Sequence, residues 1–223
     1  MKNEKLIAFT FDDAPAYEDL GDNPTTTIID VLNHFGGKAT FFITGSSIRK
    51  NGRKLVDIFL EQGFEIANHT DTHATLTLIP EEQIRSEIVT LQETVKKDFG
   101  VEMKYVRPAG LRTNETVFSI TKELKMPVIC GSFGDAYLAD WNQETPGEYI
   151  KEHCLNNVYP GQIILMHSYS FGTQAVFYEI CEKLTNDGYR FVTLSQLFEA
   201  YGLKELPCDC RIEDALLTKG EKA

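Results

Sequence analysis

Two aspartates stand side by side at Asp12-Asp13, behind the apolar run Leu6-Ile7-Ala8-Phe9. Carboxylates at the end of a buried strand each need a partner or a metal to offset desolvation, so the pair points to chemistry more than to packing. Neighbouring side chains of a regular strand face opposite ways, so both can serve one site only where the strand is ending. Pro15, which cannot donate to a ladder and keeps Ala14 extended, supplies that ending. An isolated Asp-Asp has a plainer reading as a turn or capping pair in a βα loop. Further on, His69 and His73 lie four residues apart in Asn68-His69-Thr70-Asp71-Thr72-His73. On a helical turn their rings share a face, with Cβ atoms roughly 5–6 Å apart. One metal ion can then join them, although alone such a pair is as readily structural or exposed. Arg107 follows Tyr105-Val106, and His167 closes Ile163-Ile164-Leu165-Met166. An Arg there needs pairing, and Asp12 is the evident partner. His167 read alone could be a core histidine bonded to backbone.

These residues must be brought together by the elements that carry them. Short apolar runs alternate with segments of helical period, the pattern of an α/β chain. The runs Leu6 to Phe11, Ala39 to Thr44, Phe64 to Asn68, Lys104 to Arg107, Pro127 to Gly131, Gln162 to His167 and Arg190 to Leu194 read as strands. Several are almost continuously apolar, as parallel strands buried on both faces should be. Helices are expected from Pro24 to Phe35, Ile48 to Glu61, Pro80 to Lys97, Asn114 to Leu124, Pro146 to Asn157, Thr173 to Asn186 and Ser195 to Tyr201. About seven strand-helix units in this order predict a single-domain distorted (β/α) barrel over residues 1–203. Residues 204–223 are expected to form a polar tail packed on the surface or partly mobile. In such a barrel the C-terminal ends of the strands converge on one mouth, and four of them deliver Asp, His, Arg and His to it.

The chain has 223 residues, 42% hydrophobic and 25% charged, with a formal net charge of -11. That charge argues against nucleic acid as a partner, and no apolar tract approaches the roughly 18 residues of a membrane span. The first strand follows Met1 to Glu4 directly, so as given the chain reads as intracellular, or as extracellular or cell-envelope if an export signal was trimmed. Five cysteines, Cys130, Cys154, Cys181, Cys208 and Cys210, fit no disulfide framework and read as reduced thiols.

Taken together the motifs resemble the polysaccharide deacetylases with a NodB homology domain, the family-4 carbohydrate esterases. Thr10-Phe11-Asp12-Asp13-Ala14 is similar to the first family motif, with Ala in place of the usual Gly, and His69-Thr70-Asp71-Thr72-His73 matches the second in full. The third departs: Arg107-Pro108-Ala109-Gly110 lacks the family's aromatic residue and shifts the proline. The likeness runs from about Lys5 to Tyr201. It implies Asp13, His69 and His73 as ligands of one divalent metal, zinc first and cobalt, nickel or iron as substitutes. Asp12 becomes the general base, oriented by Arg107, and His167 the general acid. Asp140, in a segment similar to the fourth motif, becomes the partner of His167, with Asp135 as the competing choice.

The implied reaction is hydrolysis of an acetyl group. A backbone N–H of Ala109 or Gly110 would serve the oxyanion. Trp141 would line a sugar groove, or else pack as an ordinary aromatic at the rim. The expected substrate is an N-acetylated carbohydrate, ahead of an O-acetylated one. A small non-sugar amide is the alternative within the same chemistry, and a silent metal or glycan-binding module the alternative outside it. A module that only binds has no need of both Asp12 and His167. His34 and His153 have no ligand-spaced partners and read as structural or solvated.

Overall fold

The strand that carries the aspartates, β1 (Lys5–Ala14), has neighbours along both edges. The computed structural model describes residues 4–15, 24–134 and 137–216, so Asp135 lies outside the described residues. Along β1, Leu6 and Ala8 belong to the cluster that fills the barrel interior, whereas Ile7, Phe9 and Phe11 face the helical layer. That two-residue alternation also aims Thr10 and Asp12 inward.

Helix α1 (Pro24–His34) leads to β2 (Thr40–Ile43), which pairs parallel with β1. A short turn, α2 (Gly45–Ser47), comes first, and the helix expected from Ile48 to Glu61 is divided into a π-helical turn (Ile48–Gly52) and α3 (Arg53–Glu61). Gly52 explains the break, because Pro15 packs where a Cβ would stand. Next come β3 (Glu65–Asn68) and the long α4 (Glu81–Phe99), with Glu81 and Glu82 in its first turn and Lys96 and Lys97 in its last. These charges complement the helix dipole.

The strand expected from Lys104 to Arg107 shrinks to bridges made by Val106, with Asn68 on one side and Val128 on the other. Pro108 cuts it short, since its nitrogen has no hydrogen to continue the ladder. Helix α5 (Glu115–Glu123), capped by the Asn114 side chain, precedes β4 (Val128–Ile129). Then α6 (Gly147–Asn157), β5 (Ile163–His167), α7 (Phe171–Asn186), β6 (Tyr189–Phe191) and α8 (Leu194–Ala200) complete the alternation. β5 lies along the other edge of β1, with Asp12 opposite His167 in register. β6 pairs with the start of β1, Lys5–Ile7, and Leu194, Leu197 and Phe198 of α8 close the barrel floor.

The C-terminal stretch differs most from expectation. Arg211–Ile212 forms β7, parallel to β4, and Asp214 bridges antiparallel to Gln162 at the start of β5. Ile212 and Ala215 are buried, and the Tyr159 hydroxyl donates to Asp214 Oδ2 at 2.8 Å. The segment therefore closes the ring between β4 and β5 and is part of the barrel wall. Two strand residues flanked by polar chain leave too short a period to read. Among the described residues no helix is long and apolar enough to cross a membrane. All five cysteines are free, three of them buried.

Candidate active site

Asp12 and Asp13 reach the same cavity by a route other than the expected strand ending. β1 runs on to Ala14, but its register against β2 slips between Phe11 and Ala14: three steps on β1 oppose two on β2. This is a bulge, with Asp13 in the left-handed region at φ 57°. A bulge re-aims a side chain that the pleat would send outward. The histidines likewise converge without a helical turn. Residues 69–73 are an irregular loop in which Thr70 (φ 71°) and His73 (φ 63°) are left-handed, leaving the rings 5.0 Å apart. The loop is tied to α4: the Asn68 amide donates to the Ile88 carbonyl, and the Thr72 N–H and hydroxyl both donate to the Glu87 carboxylate. Asp71 turns away and pairs with Arg49 at 2.7 Å.

Asp13, His69 and His73 offer ligand atoms that all lie within 4.8 Å of one another. Asp13 Oδ1 is 3.2 Å from His73 Nε2 and 3.7 Å from His69 Nε2. The tautomer of His69 is fixed, because its Nδ1 stands 2.7 Å from the Arg107 carbonyl, which can only accept. Its Nε2 therefore faces the aspartates. Burial pushes the His73 pKa down, with help from His69 and against the pull of Asp13, so the His73 ring favours the neutral, ligating form. One carboxylate oxygen and two imidazole nitrogens at this spacing fit a divalent ion of the zinc, cobalt, nickel or iron type.

Two buried ion pairs flank this cluster. Arg107, fully buried, donates from Nη1 to Asp12 Oδ1 at 2.6 Å and to Thr10 Oγ1 at 3.0 Å, and from Nε to the Ile129 carbonyl at 2.9 Å. Its Nη2 has no hydrogen-bond partner among the described residues, and its guanidinium lies 3.9 Å from the centre of the Phe42 ring. Burial pushes the Asp12 pKa up, but Arg107, His69 and His167 outweigh it, and the carboxyl sits below its ordinary value. On the other side, His167 Nδ1 is 2.9 Å from Asp140 Oδ1, and the His167 backbone N–H donates to Asp140 Oδ2 at 2.7 Å. Burial opposes the charged ring, yet Asp140, with Asp12 and Asp13, raises the His167 pKa to about 9.

The cavity between the pairs, about 120 Å³, is lined by Asp12, Asp13, His69, His73, Gly110, Leu111, Trp141 and His167. Ala109 stays buried behind the lining, and the turn Ala109–Leu111 spends the amides of Leu111 and Arg112 on Pro108 and Ala109 carbonyls. Gly110, at the middle of that turn with φ 57°, is the part of it that lines the cavity beside Leu111. Trp141, 52% exposed, stands at the rim. His34 packs against Phe35 and Tyr178, and His153 stacks on Tyr149, both away from the cavity. Sequence reasoning missed Thr10 and Leu111. The first shares Asp12's face of β1 at a spacing of two, which was a usable signal. Leu111 carried none, because its left-handed φ of 54° is what turns it to the cavity. A larger cleft, about 600 Å³, lies between α4 and the segment around Leu124, without a cluster of ligating or nucleophilic groups.

The family described as polysaccharide deacetylase matches residues 1–129. The chain is 34% identical to a bifunctional xylanase/deacetylase of Pseudobutyrivibrio xylanivorans, covering 91% of this chain and 32% of that protein. It therefore spans about a third of that relative's length. A peptidoglycan-N-acetylglucosamine deacetylase of Bacillus cereus is 33% identical, with 87% of this chain and 89% of that protein covered. Among solved structures, a family 4 acetyl xylan esterase from Clostridium thermocellum in complex with a cobalt ion superposes with a TM-score of 0.84 at 27% identity, over 95% of this chain and 100% of that one. The same distorted (β/α) barrel recurs there, and the cobalt ion accords with a divalent metal for the Asp-His-His cluster. On the family match and these relatives, the chain belongs to the polysaccharide deacetylase family.

Proposed function

We propose that the protein is a metal-dependent hydrolytic deacetylase that removes N-acetyl groups, ahead of O-acetyl groups, from a carbohydrate such as peptidoglycan, chitin oligomers or xylan. The observation that carries this reading is the pair of opposed ion pairs around one ligand cluster: Asp12 held ionised by Arg107, and His167 held protonated by Asp140. Base and acid thus stand ready at the same pH on opposite sides of one small cavity. A volume of about 120 Å³ suits an acetyl group while the sugar stays outside, against Trp141.

Asp13, His69 and His73 would hold the ion, zinc in first place. When bound, it supplies Lewis acidity, polarising the acyl carbonyl and making nearby water more acidic. The chain does the rest. Asp12 receives the proton of the attacking water on Oδ2, because Oδ1 is engaged by Arg107. The Gly110 N–H donates to the oxygen that gains charge as the tetrahedral centre forms. His167, its Nδ1–H held by Asp140, gives the Nε2 proton to the departing amine.

The test is acetate release from N-acetylglucosamine oligomers, acetylxylan and small amides, before and after chelation. Chelator-sensitive release from the N-acetylated oligomers is expected. Equal rates on small amides would move the reading to an amidohydrolase, and release from none would move it to a binding module.

A further inference from the structure

Asp140 has three donors, and one of them comes from a residue outside the roles above. Its Oδ1 faces the His167 ring; its Oδ2 accepts from the His167 backbone N–H and from the Thr173 hydroxyl, both at 2.7 Å. Thr173 and Asp140 are buried to within 1%, so no bulk water shares these bonds. The final torsion of an aspartate is broad. A single backbone donor would let the carboxylate pivot about Oδ2, whereas a second donor from a different element defines its plane.

Thr173 is also delivered from a rigid place. It lies in the first turn of α7, where its own N–H is capped by Ser170 Oγ at 3.2 Å, leaving its hydroxyl free of that duty. That turn presses backbone to backbone against the segment following Asp140. A Cβ at Gly172 would meet the Thr145 carbonyl at 2.6 Å, and one at Gly147 would meet the Gly172 carbonyl at 3.0 Å. Only glycine at both points lets α7 come close enough for a threonine hydroxyl to reach Asp140. Positioning groups hold geometry best when their own rotamers are locked by packing of this kind.

We propose that Thr173 is a positioning residue for proton donation: its hydroxyl fixes the Asp140 carboxylate in the orientation that reserves Oδ1 for the His167 ring. The proposal rests on the reading of His167 as the acid. It is tested with Thr173→Val, which keeps the shape and loses the donor, and Thr173→Ser, which keeps the donor. Steady-state kinetics on the best oligomer substrate are combined with proton NMR of the ring N–H resonances in zinc-loaded protein. The His69 Nδ1–H, bonded to the Arg107 carbonyl, serves as internal reference.

The expected result is a roughly tenfold fall in kcat for the valine variant with KM within about twofold, and a serine variant within about threefold of wild type, as loss of one buried donor to a charged acceptor implies. The His167 Nδ1–H resonance should shift or broaden in the valine variant alone while that of His69 stays. The proposal is overturned if the valine variant keeps wild-type kcat and resonance, if serine fails as badly as valine, or if both resonances move together. Should no substrate be turned over, the proposed function fails, and the resonances alone decide the role of Thr173.

Discussion

Replacing Arg107 with methionine removes the charge that holds Asp12 and leaves an aliphatic stem of similar reach. Arg107 is fully buried and Asp12 is 4% exposed, so the carboxylate is left in the barrel interior without its 2.6 Å partner. Breaking a buried pair from one side costs about 3–5 kcal/mol when the orphaned charge stays ionised. In the wild type the depressed pKa of Asp12 contributes stability that is complete above its unfolded value near 3.8 and lost only as pH falls through the lower folded value. Between pH 4.5 and 7.5 it therefore adds no slope. In the variant the largest remaining influence is burial, which pushes the pKa up. The native state then binds more protons than the unfolded one, and stability falls as pH rises. Urea unfolding in the presence of a chelator should show a deficit of about 1–2 kcal/mol at pH 4.5, the hydrogen-bond loss alone, growing to about 3–5 kcal/mol at pH 7.5. Adding Asp12→Asn should recover much of the deficit at pH 7.5, because the orphaned charge is gone. A deficit independent of pH, or a double variant no better than the single one, would refute the claim that Arg107 acts by keeping Asp12 ionised.

Other consequences of the site can be checked separately. His69→Ala should lower metal affinity by more than the roughly 10–100-fold typical of an outer partner, read by metal analysis after dialysis. Asp12→Asn should retain the metal and lose about 10²–10⁴ in kcat; loss of metal as well would place Asp12 among the ligands. The His167 pKa, raised from 6.5 to about 9, contributes stability present below pH 6.5 and lost as pH rises through about 9, worth about 3 kcal/mol. In Asp140→Asn, burial is left to dominate, so the alkaline fall in activity should move down by two or more pH units and the alkaline loss of stability should vanish. Truncation after Leu203 should lower stability by at least about 3 kcal/mol in thermal and urea unfolding, because it strips buried Ile212 and exposes the edges of β4 and β5.

The residues that touch the cavity were legible because strand ends in a barrel share one mouth. The backbone that aims them was not. Apolar runs marked β2, β3 and β5 to within a residue at each end, since each carries several buried side chains in a row, whereas the run read for β1 stopped at Phe11, short of Ala14. A bulge at Asp12-Asp13 and left-handed turns at Thr70 and His73 depend on the neighbouring strand and on α4, and no local composition announces them. Pro15 marked the end of the strand, which stops at Ala14, but gave no sign of the bulge before it. Likewise β7, two residues long, is set by its pairing with β4, itself found inside the expected run Pro127 to Gly131, and not by any period of its own.

The register of β1 and β5 sets a problem that the two outer partners solve. Asp12 and His167 stand opposite each other on adjacent parallel strands, whose spacing is about 4.8 Å. Left to themselves, a carboxylate and an imidazole facing one small cavity would have only each other as counter-charge, and one proton between them. Neither would then be a ready base or a ready acid. Arg107 draws Asp12 Oδ1 toward Thr10 and the Ile129 carbonyl, and Asp140 draws His167 Nδ1 the other way, toward α7. Each group thereby has its own counter-charge, and the pKa values part in the useful directions, Asp12 down and His167 up to about 9. Exchanging proton states this way needs four charges buried within one barrel mouth, a costly arrangement for stability alone. Around an Asp-His-His cluster, and on the proposed function, the same arrangement is what moving two protons across the cavity between them would require.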